Sequence, residues 1–260
     1  MTGDLLVRFG LASDIHYADR DTIDTRYYRH GLQKLNAAVP QWQSEQVAFC
    51  LVNGDAIDHY NSTAPQAVTD LTAIKAAFGS VESHFVLGNH EQDKLTKAQI
   101  FAITGQSAGH YSFDRGGVHF VILDANYRSD SDADQYEPGN YDWNVNFIPP
   151  AQRAWLASDL AETSFPVVMF CHYRIDDAGQ YSVSNREAVR TILEASGKVR
   201  AVFQGHNHLN ALSRINGIDY LTLAAMTDNP FPSSAFSTVS VYSSGRVVVH
   251  GVDRQWRISL

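Results

Sequence analysis

Apolar residues gather along the chain in short blocks, most of them too brief for helices and bounded by polar or glycine-rich stretches. Leu5 to Ser13 (LLVRFGLAS), Val47 to Asn53 (VAFCLVN), His84 to Leu87, Phe165 to Cys171 and Val199 to Gln204 read as buried strands. Between them apolar positions recur at helical spacing. Leu32, Leu35, Val39 and Trp42 share one helix face, which Asp24-Thr25 can cap and Pro40 kinks or shortens near its end. Ala64 to Phe78, stopped by Gly79, is a second helix; others run from Lys94 to Ile103, Pro150 to Leu160 and Asn185 to Glu194. Gly109 to Asp114 and Val118 to Leu123 flank Arg115-Gly116-Gly117 as a hairpin. From Ala211 onward the pattern is all β: Ala211–Ile215, Tyr220–Ala224, Phe236–Tyr242 and Val247–Val252.

Strand–helix alternation followed by antiparallel strands predicts an α/β fold, a single domain over 1–260. Its architecture is a four-layer α-β-β-α sandwich, two mixed sheets packed face to face and flanked by helices. Residues 125–149 show no periodicity, and a loop that long is usually functional or mobile.

Composition narrows the function. The apolar fraction of 44% against 18% charged excludes a disordered chain, and no apolar run approaches the length of a membrane span. A net charge of −8 argues against nucleic acid and anionic membrane as partners. Cys50 and Cys171 lie in apolar runs as small buried hydrophobes, not as a disulfide framework. Met1 to Asp4 run straight into the first strand with no basic stretch or cleavage site, which predicts a cytoplasmic protein.

The histidines, eleven against five lysines, change the picture. Five core-type strands each end in a residue that can ligate metal. They are followed by Asp14-Ile15-His16, Gly54-Asp55, Gly88-Asn89-His90-Glu91, His172 and Gly205-His206-Asn207-His208. Ligands of open α/β sheets bind outside the carboxyl ends of the strands, so these loops should converge. Gly54, Gly88 and Gly205 each precede a candidate ligand, where the backbone must come close. The donors are oxygen and imidazole with no thiolate, which suits Mn, Fe, Zn, Ni or Co and disfavours a structural zinc site. Seven candidates exceed what one catalytic ion takes, so two ions are implied, poised to activate a shared water for in-line displacement at phosphorus. Two divalent ions, two aspartates and a hydroxide leave a local charge of about +1, which draws phosphate into an acidic protein.

These blocks, in this order, resemble the calcineurin-like metallophosphoesterases over residues 7 to about 252. The resemblance implies that Asp14, His16, Asp55 and His208 hold one metal. It implies that Asp55 bridges to a second, held by Asn89, His172 and His206. His90 would stabilise the transition state and protonate the leaving group, with a metal-bridging hydroxide as the attacking group. Between the blocks, Tyr17-Ala18-Asp19, Arg26-Tyr27-Tyr28-Arg29-His30, Gly54 to Asn61 and Ala235-Phe236-Ser237-Thr238 resemble the manganese-dependent ADP-ribose/CDP-alcohol diphosphatase group. That group often carries Gln where this chain has His16. The resemblance implies manganese and a small, nucleotide-derived phosphorylated substrate. A cyclic-nucleotide or general phosphodiesterase or phosphatase is the alternative within the class, and a non-catalytic scaffold of the same fold the alternative outside it.

Tyr17, Arg26, Tyr60, Asn61, Tyr173 and Phe231 lie near the metal blocks and could stack a base or bind phosphate. Asp58 reads as an acceptor for a metal-bound histidine, and Glu91 as a group that orients a neighbour or caps the next helix. Asp130 to Asp134 begins like a calcium loop, but Gln135 and Tyr141 replace its required glycine and glutamate, leaving a solvated acidic loop.

Overall fold

A computed structural model describes residues 3–59, 62–140 and 142–260. The strands are β1 (Leu5–Ala12), β2 (Cys50–Asn53), β3 (Ser83–Val86), β4 (Tyr111–Arg115), β5 (Val118–Ile122), β6 (Val167–Phe170), β7 (Val199–Gln204), β8 (Ala211–Ile215), β9 (Ile218–Thr222), β10 (Ala235–Tyr242), β11 (Val247–Asp253) and β12 (Ile258–Ser259). The helices are α1 (Tyr28–Ser44), α2 (Ala64–Ala77), α3 (Lys97–Thr104), α4 (Pro150–Glu162) and α5 (Arg186–Ser196).

One sheet runs β12-β11-β10-β1-β2-β3 and the other β4-β5-β6-β7-β9-β8. Both are mixed. β1, β2 and β3 are mutually parallel, as are β5, β6, β7 and β9, while the outer partners run antiparallel. β2 and β6 are buried along their whole length, on both faces, which is why they read as apolar runs and not as alternation.

The two sheets meet through an aromatic core. Phe9 of β1 stacks on Phe49 at 5.2 Å and meets Phe120, Phe170 and Phe203 of the opposite sheet edge-on at 5.5–6.2 Å. Each such ring, fully buried, contributes roughly 1.5–3 kcal/mol. Outside the first sheet, Leu35 and Trp42 of α1, Leu71 and Ile74 of α2 and Ile100 of α3 form a second core. Outside the other, Leu156 and Leu160 of α4 and Val189 and Leu193 of α5 form a third. The order of layers is therefore helix, sheet, sheet, helix.

Local departures from the sequence pattern have physical reasons. Asp24-Thr25 does not cap α1. Tyr27 precedes its first turn without a side-chain cap, and the Thr25 hydroxyl donates to Asp228 at 3.2 Å instead. Pro40 sits inside α1, which continues to Ser44. The hairpin turn is built by Gly116 and Gly117, both in the left-handed region. Cys50 and Cys171 are free and buried, and burial pushes both thiols up to about 12. No helix among the described residues is long and apolar enough to cross a membrane.

Candidate metal centre

Five strand ends build one site. Asp14 and His16 follow β1, Asp55 follows β2, Asn89 and His90 follow β3, His172 follows β6, and His206 and His208 follow β7. Backbone hydrogen bonds sew the turns together: Asp14 N to Gly54 O (3.1 Å), His16 N to Asp55 O (2.8 Å), Gly205 N to His172 O (2.8 Å) and Thr227 N to Asp14 O (3.0 Å). Asp14, His16, Asp55, His206 and His208 have φ between 45° and 70°, five of the ten non-glycine residues at positive φ among those described. Asp and His tolerate that region better than most residues, and such strain concentrates at functional sites. At Gly54 a Cβ would overlap the His172 ring, and at Gly88 it would overlap the Asp55 carboxylate, so neither position admits a side chain.

Among the described residues four groups have potential ligand atoms within 4.8 Å of one another: Asp14, His16 and His208; Asp55, His172 and His206; His16, Asp55 and His90; and Asp58, His90 and Asp93. Asp55 stands between the first two, its Oδ2 3.6 Å from His16 Nε2 and 3.1 Å from His172 Nε2. Each ring is fixed by an acceptor behind it. His16 Nδ1 meets Asp58 at 3.1 Å, His208 Nδ1 meets Asp228 at 3.2 Å, and His172 Nδ1 meets the Asn53 carbonyl at 2.9 Å. His206 turns its Nε2 to the Trp143 carbonyl at 2.9 Å. Those acceptors receive the ring N–H groups, so the opposite nitrogens of His16, His206 and His208 project lone pairs inward, while His172 Nε2 faces the Asp55 carboxylate.

The result is a cluster of acceptors. His16 Nε2 faces His208 Nε2 at 3.1 Å, with Asp14 Oδ1 3.9 and 3.6 Å from them. The buried Asn89 Oδ1 has no hydrogen-bond partner. Acceptors facing acceptors in a buried site are costly unless a cation lies between them. The residues therefore fit divalent metal, and the mixed imidazole and carboxylate donors fit ions of the manganese-to-zinc series.

Burial pushes His16 down to about 3 and His206 well below the usual imidazole range, which keeps both neutral. Burial raises Asp14, whereas Asp55, despite burial, is held well below the usual carboxylate range by His172 and His90. Burial also disfavours charge on His90, but Asp58 and Asp55 outweigh it and hold the imidazole well above its ordinary value.

Asp58 is fully buried and carries four neighbours: His16, His90 (3.4 Å), Arg20 (3.3 Å) and Arg26 (3.2 Å). Glu91 accepts the amides of Gly88 (2.8 Å), Asp55 (3.3 Å) and Ala56, tying the β2 and β3 turns together. It caps no helix; Thr96 and Gln99 form the capping box of α3.

A cleft of about 660 Å³ opens over this centre. Arg20, Arg26, Tyr28, Asn89 and His90 line it, together with the neighbouring rings of Trp143 and Tyr181. Asp24, Thr25, Asn207 and Leu209 border a second lobe of about 580 Å³ beyond His208. The sequence-predicted contacts divide. Arg26 lines both lobes. Tyr17 packs against the helical core of the first sheet. Tyr173 is fully buried, its hydroxyl donating to Asn126 at 2.7 Å and its ring bracing His206. Phe231, 45% exposed, borders neither lobe. Tyr60 and Asn61 lie outside the described residues.

Sequence reasoning missed Arg20, Trp143, Tyr181 and Asp228, which follow no strand of the motif series. Trp143 also gives the 125–149 segment a place, through its carbonyl on His206. The acidic stretch within that segment is not simply solvated: Asp130 pairs with Arg153, and Asp132 accepts the Ala151 amide at the start of α4.

A family model described as calcineurin-like phosphoesterase matches residues 7–210. A manganese-dependent ADP-ribose/CDP-alcohol diphosphatase of Danio rerio is 25% identical over 96% of this chain and 97% of its own. One from Oryza sativa subsp. japonica is 26% identical over 94% and 91%. A solved structure, a dimetal phosphatase from Danio rerio, superposes with a TM-score of 0.84 at 24% identity, covering 98% of this chain and 99% of that one, which establishes the fold.

Proposed function

The chain belongs to the calcineurin-like phosphoesterase family and is a hydrolase of phosphate ester or anhydride bonds, and from that premise we propose that it cleaves the diphosphate of nucleoside diphosphate compounds such as ADP-ribose or CDP-alcohols. The observation that carries this reading is the inward convergence of ligand-type atoms from Asp14, His16, Asp55, His172, His206 and His208, with the unpartnered Asn89 Oδ1 beside them, beneath a cleft of nucleotide size. Asp14, His16 and His208 would hold one divalent cation and Asn89, His172 and His206 a second, with Asp55 standing between the two sets; manganese is the first choice. Bound there, two such ions supply Lewis acidity at phosphorus and an activated water.

The rest of the chemistry belongs to the chain. His90, protonated and held by Asp58 and Asp93 (3.2 Å), lines the cleft to give its proton to the departing oxygen. Asp58 stabilises the imidazolium and keeps His16 in the tautomer that offers Nε2. The near-full-length likeness to diphosphatases supports an anhydride substrate, and the aromatic wall of Trp143 and Tyr181 supports a base-bearing one.

The test is metal content together with rates on ADP-ribose, CDP-choline and 2′,3′-cAMP for the manganese-loaded protein. About two ions per chain and faster turnover of either diphosphate are expected. No bound metal with no turnover, or a tenfold preference for the cyclic nucleotide, overturns the reading.

A further inference from the structure

Two guanidinium groups stand beside the proposed leaving-group acid, and one buried carboxylate serves both. Arg20 Nη2 lies 3.3 Å from Asp58 Oδ1, and Arg26 Nη1 lies 3.2 Å from Asp58 Oδ2. Asp58 is also the acceptor for His16 and a neighbour of His90. Two positive charges against one shared negative charge leave a surplus of positive charge at the cleft wall, within a protein whose net charge is −8. Arg20 Nε has no protein partner, and both side chains line the main lobe next to Asn89 and His90.

The two arginines are preorganised. The Arg20 guanidinium lies over the Tyr28 ring, 3.7 Å from its centroid, which fixes its plane. Arg26 closes a tight turn through mutual backbone hydrogen bonds with Ile23 (3.0 and 3.3 Å), and the next residue, Tyr27, donates its amide to Thr227 O at 3.2 Å. Fixed, planar, multidentate donors recognise phosphate better than a mobile ammonium does. Charge surplus and fixed geometry together describe an anion site one group removed from the metal-binding turns.

We propose that Arg20 and Arg26 clamp the phosphoryl group of a diphosphate that is not attacked, and so select anhydrides over single-phosphorus esters. This rests on the reading of the centre as a diphosphate hydrolase and assigns its specificity to two residues. With one phosphoryl group seated at the ligand cluster, its partner would lie one bridging oxygen away, in the same cleft that Arg20 and Arg26 line. A phosphodiester with a single phosphorus places nothing anionic there.

The experiment compares Arg20→Ala, Arg26→Ala and the double variant with the unsubstituted enzyme, all manganese-loaded, on ADP-ribose and on bis-p-nitrophenyl phosphate. The double variant is expected to lose at least tenfold more kcat/KM on ADP-ribose than on the single-phosphorus ester, chiefly through KM. Arg26→Lys should recover only part of that difference, since it restores charge without the fork. Equal losses on the two substrates overturn the proposal, because they mean that the arginines act only through Asp58 on His90.

A binding measurement separates this from the reading it rests on. Calorimetry with imidodiphosphate and with inorganic phosphate reports the clamp whether or not ADP-ribose is turned over. The unsubstituted protein should favour imidodiphosphate at least tenfold and the double variant should lose that preference. A preference that survives in the double variant overturns the clamp, and so does its absence from the unsubstituted protein.

Discussion

Asp58 Oδ1 lies 3.4 Å from His90 Nδ1, while its other oxygen accepts a hydrogen bond from His16 Nδ1 at 3.1 Å. A single buried carboxylate thus sets the proton of the proposed acid and the tautomer of a proposed ligand. Burial works against its charge, but His90 and His16 hold the carboxyl far below the usual range. Replacing it with an amide keeps the shape and removes the charge that stabilises the imidazolium. Asp58→Asn should lower kcat on 2′,3′-cAMP, whose basic alkoxide must be protonated as it leaves, by about tenfold to a hundredfold, within the range general acids supply, with KM changed less than about threefold. An unchanged kcat in a variant with native circular dichroism would deny His90 its proposed role.

Glu91 tests a different kind of support. Its two oxygens receive the amides of Gly88, Asp55 and Ala56, all of them donors. Burial and the Asp55 charge push its carboxyl up to about 7. A glutamine offers one acceptor oxygen and turns an NH₂ towards at least one of those donors, leaving a buried amide unmet at roughly 1–3 kcal/mol. Glu91→Gln should therefore lower the thermal midpoint by several degrees and weaken manganese binding, both readable by differential scanning calorimetry with and without metal. A midpoint equal to that of the unsubstituted protein would mean that the turns need no such tie.

The five motif blocks were legible because their chemistry is local: an apolar run, a glycine and a ligand-type side chain are adjacent in the chain. β7 and β8 have the bounds their patterns predict. What was not legible depends on distant partners. Asp24-Thr25 has the composition of a helix cap, yet Thr25 is drawn to Asp228, some two hundred residues on. Arg20 reads as an ordinary loop cation until Asp58 is placed beside it. Tyr173 follows a ligand histidine and looks accessible, but its hydroxyl is claimed by Asn126 inside the fold. β12 has only two residues, too few to leave a pattern.

Lys34 supports the site from α1. Its ammonium is buried and donates to the carbonyls of Met226, Thr227, Asp228 and Asn229, at 2.5–3.1 Å. That segment presents Asp228 to His208 Nδ1. Lys34→Met preserves most of the apolar stem and removes the ammonium from four converging carbonyls, of which Thr227 O keeps the Tyr27 amide and Asp228 O the Arg254 guanidinium. The expected cost is on the order of 3 kcal/mol, with a weaker hold on His208. Urea denaturation of the metal-free variant reads the first effect and manganese titration the second. A variant as stable as its parent would show that the segment holds its shape without the ammonium.

His172 links metal uptake to pH. Burial disfavours its charge, but Asp55, 3.1 Å from Nε2, together with Asp14 pushes the imidazole up to about 9. Below that pH the metal-free protein carries a proton on the atom a cation would take, so uptake must displace it. Apparent manganese affinity should fall by up to about tenfold per pH unit as pH drops from 9 towards 7, with close to one proton released per chain near neutrality. The sign for stability is the reverse in the metal-free protein. The folded value lies above the ordinary 6.5, so the His172–Asp55 attraction is fully present below about 6.5 and is lost as pH rises through 9. Metal-free protein should thus melt lower at pH 9 than its manganese-loaded form by a wider margin than at pH 6.5. Calorimetric titration in two buffers of different ionisation heat counts the proton, and a count of zero at pH 7.5 would place His172 outside the metal's coordination.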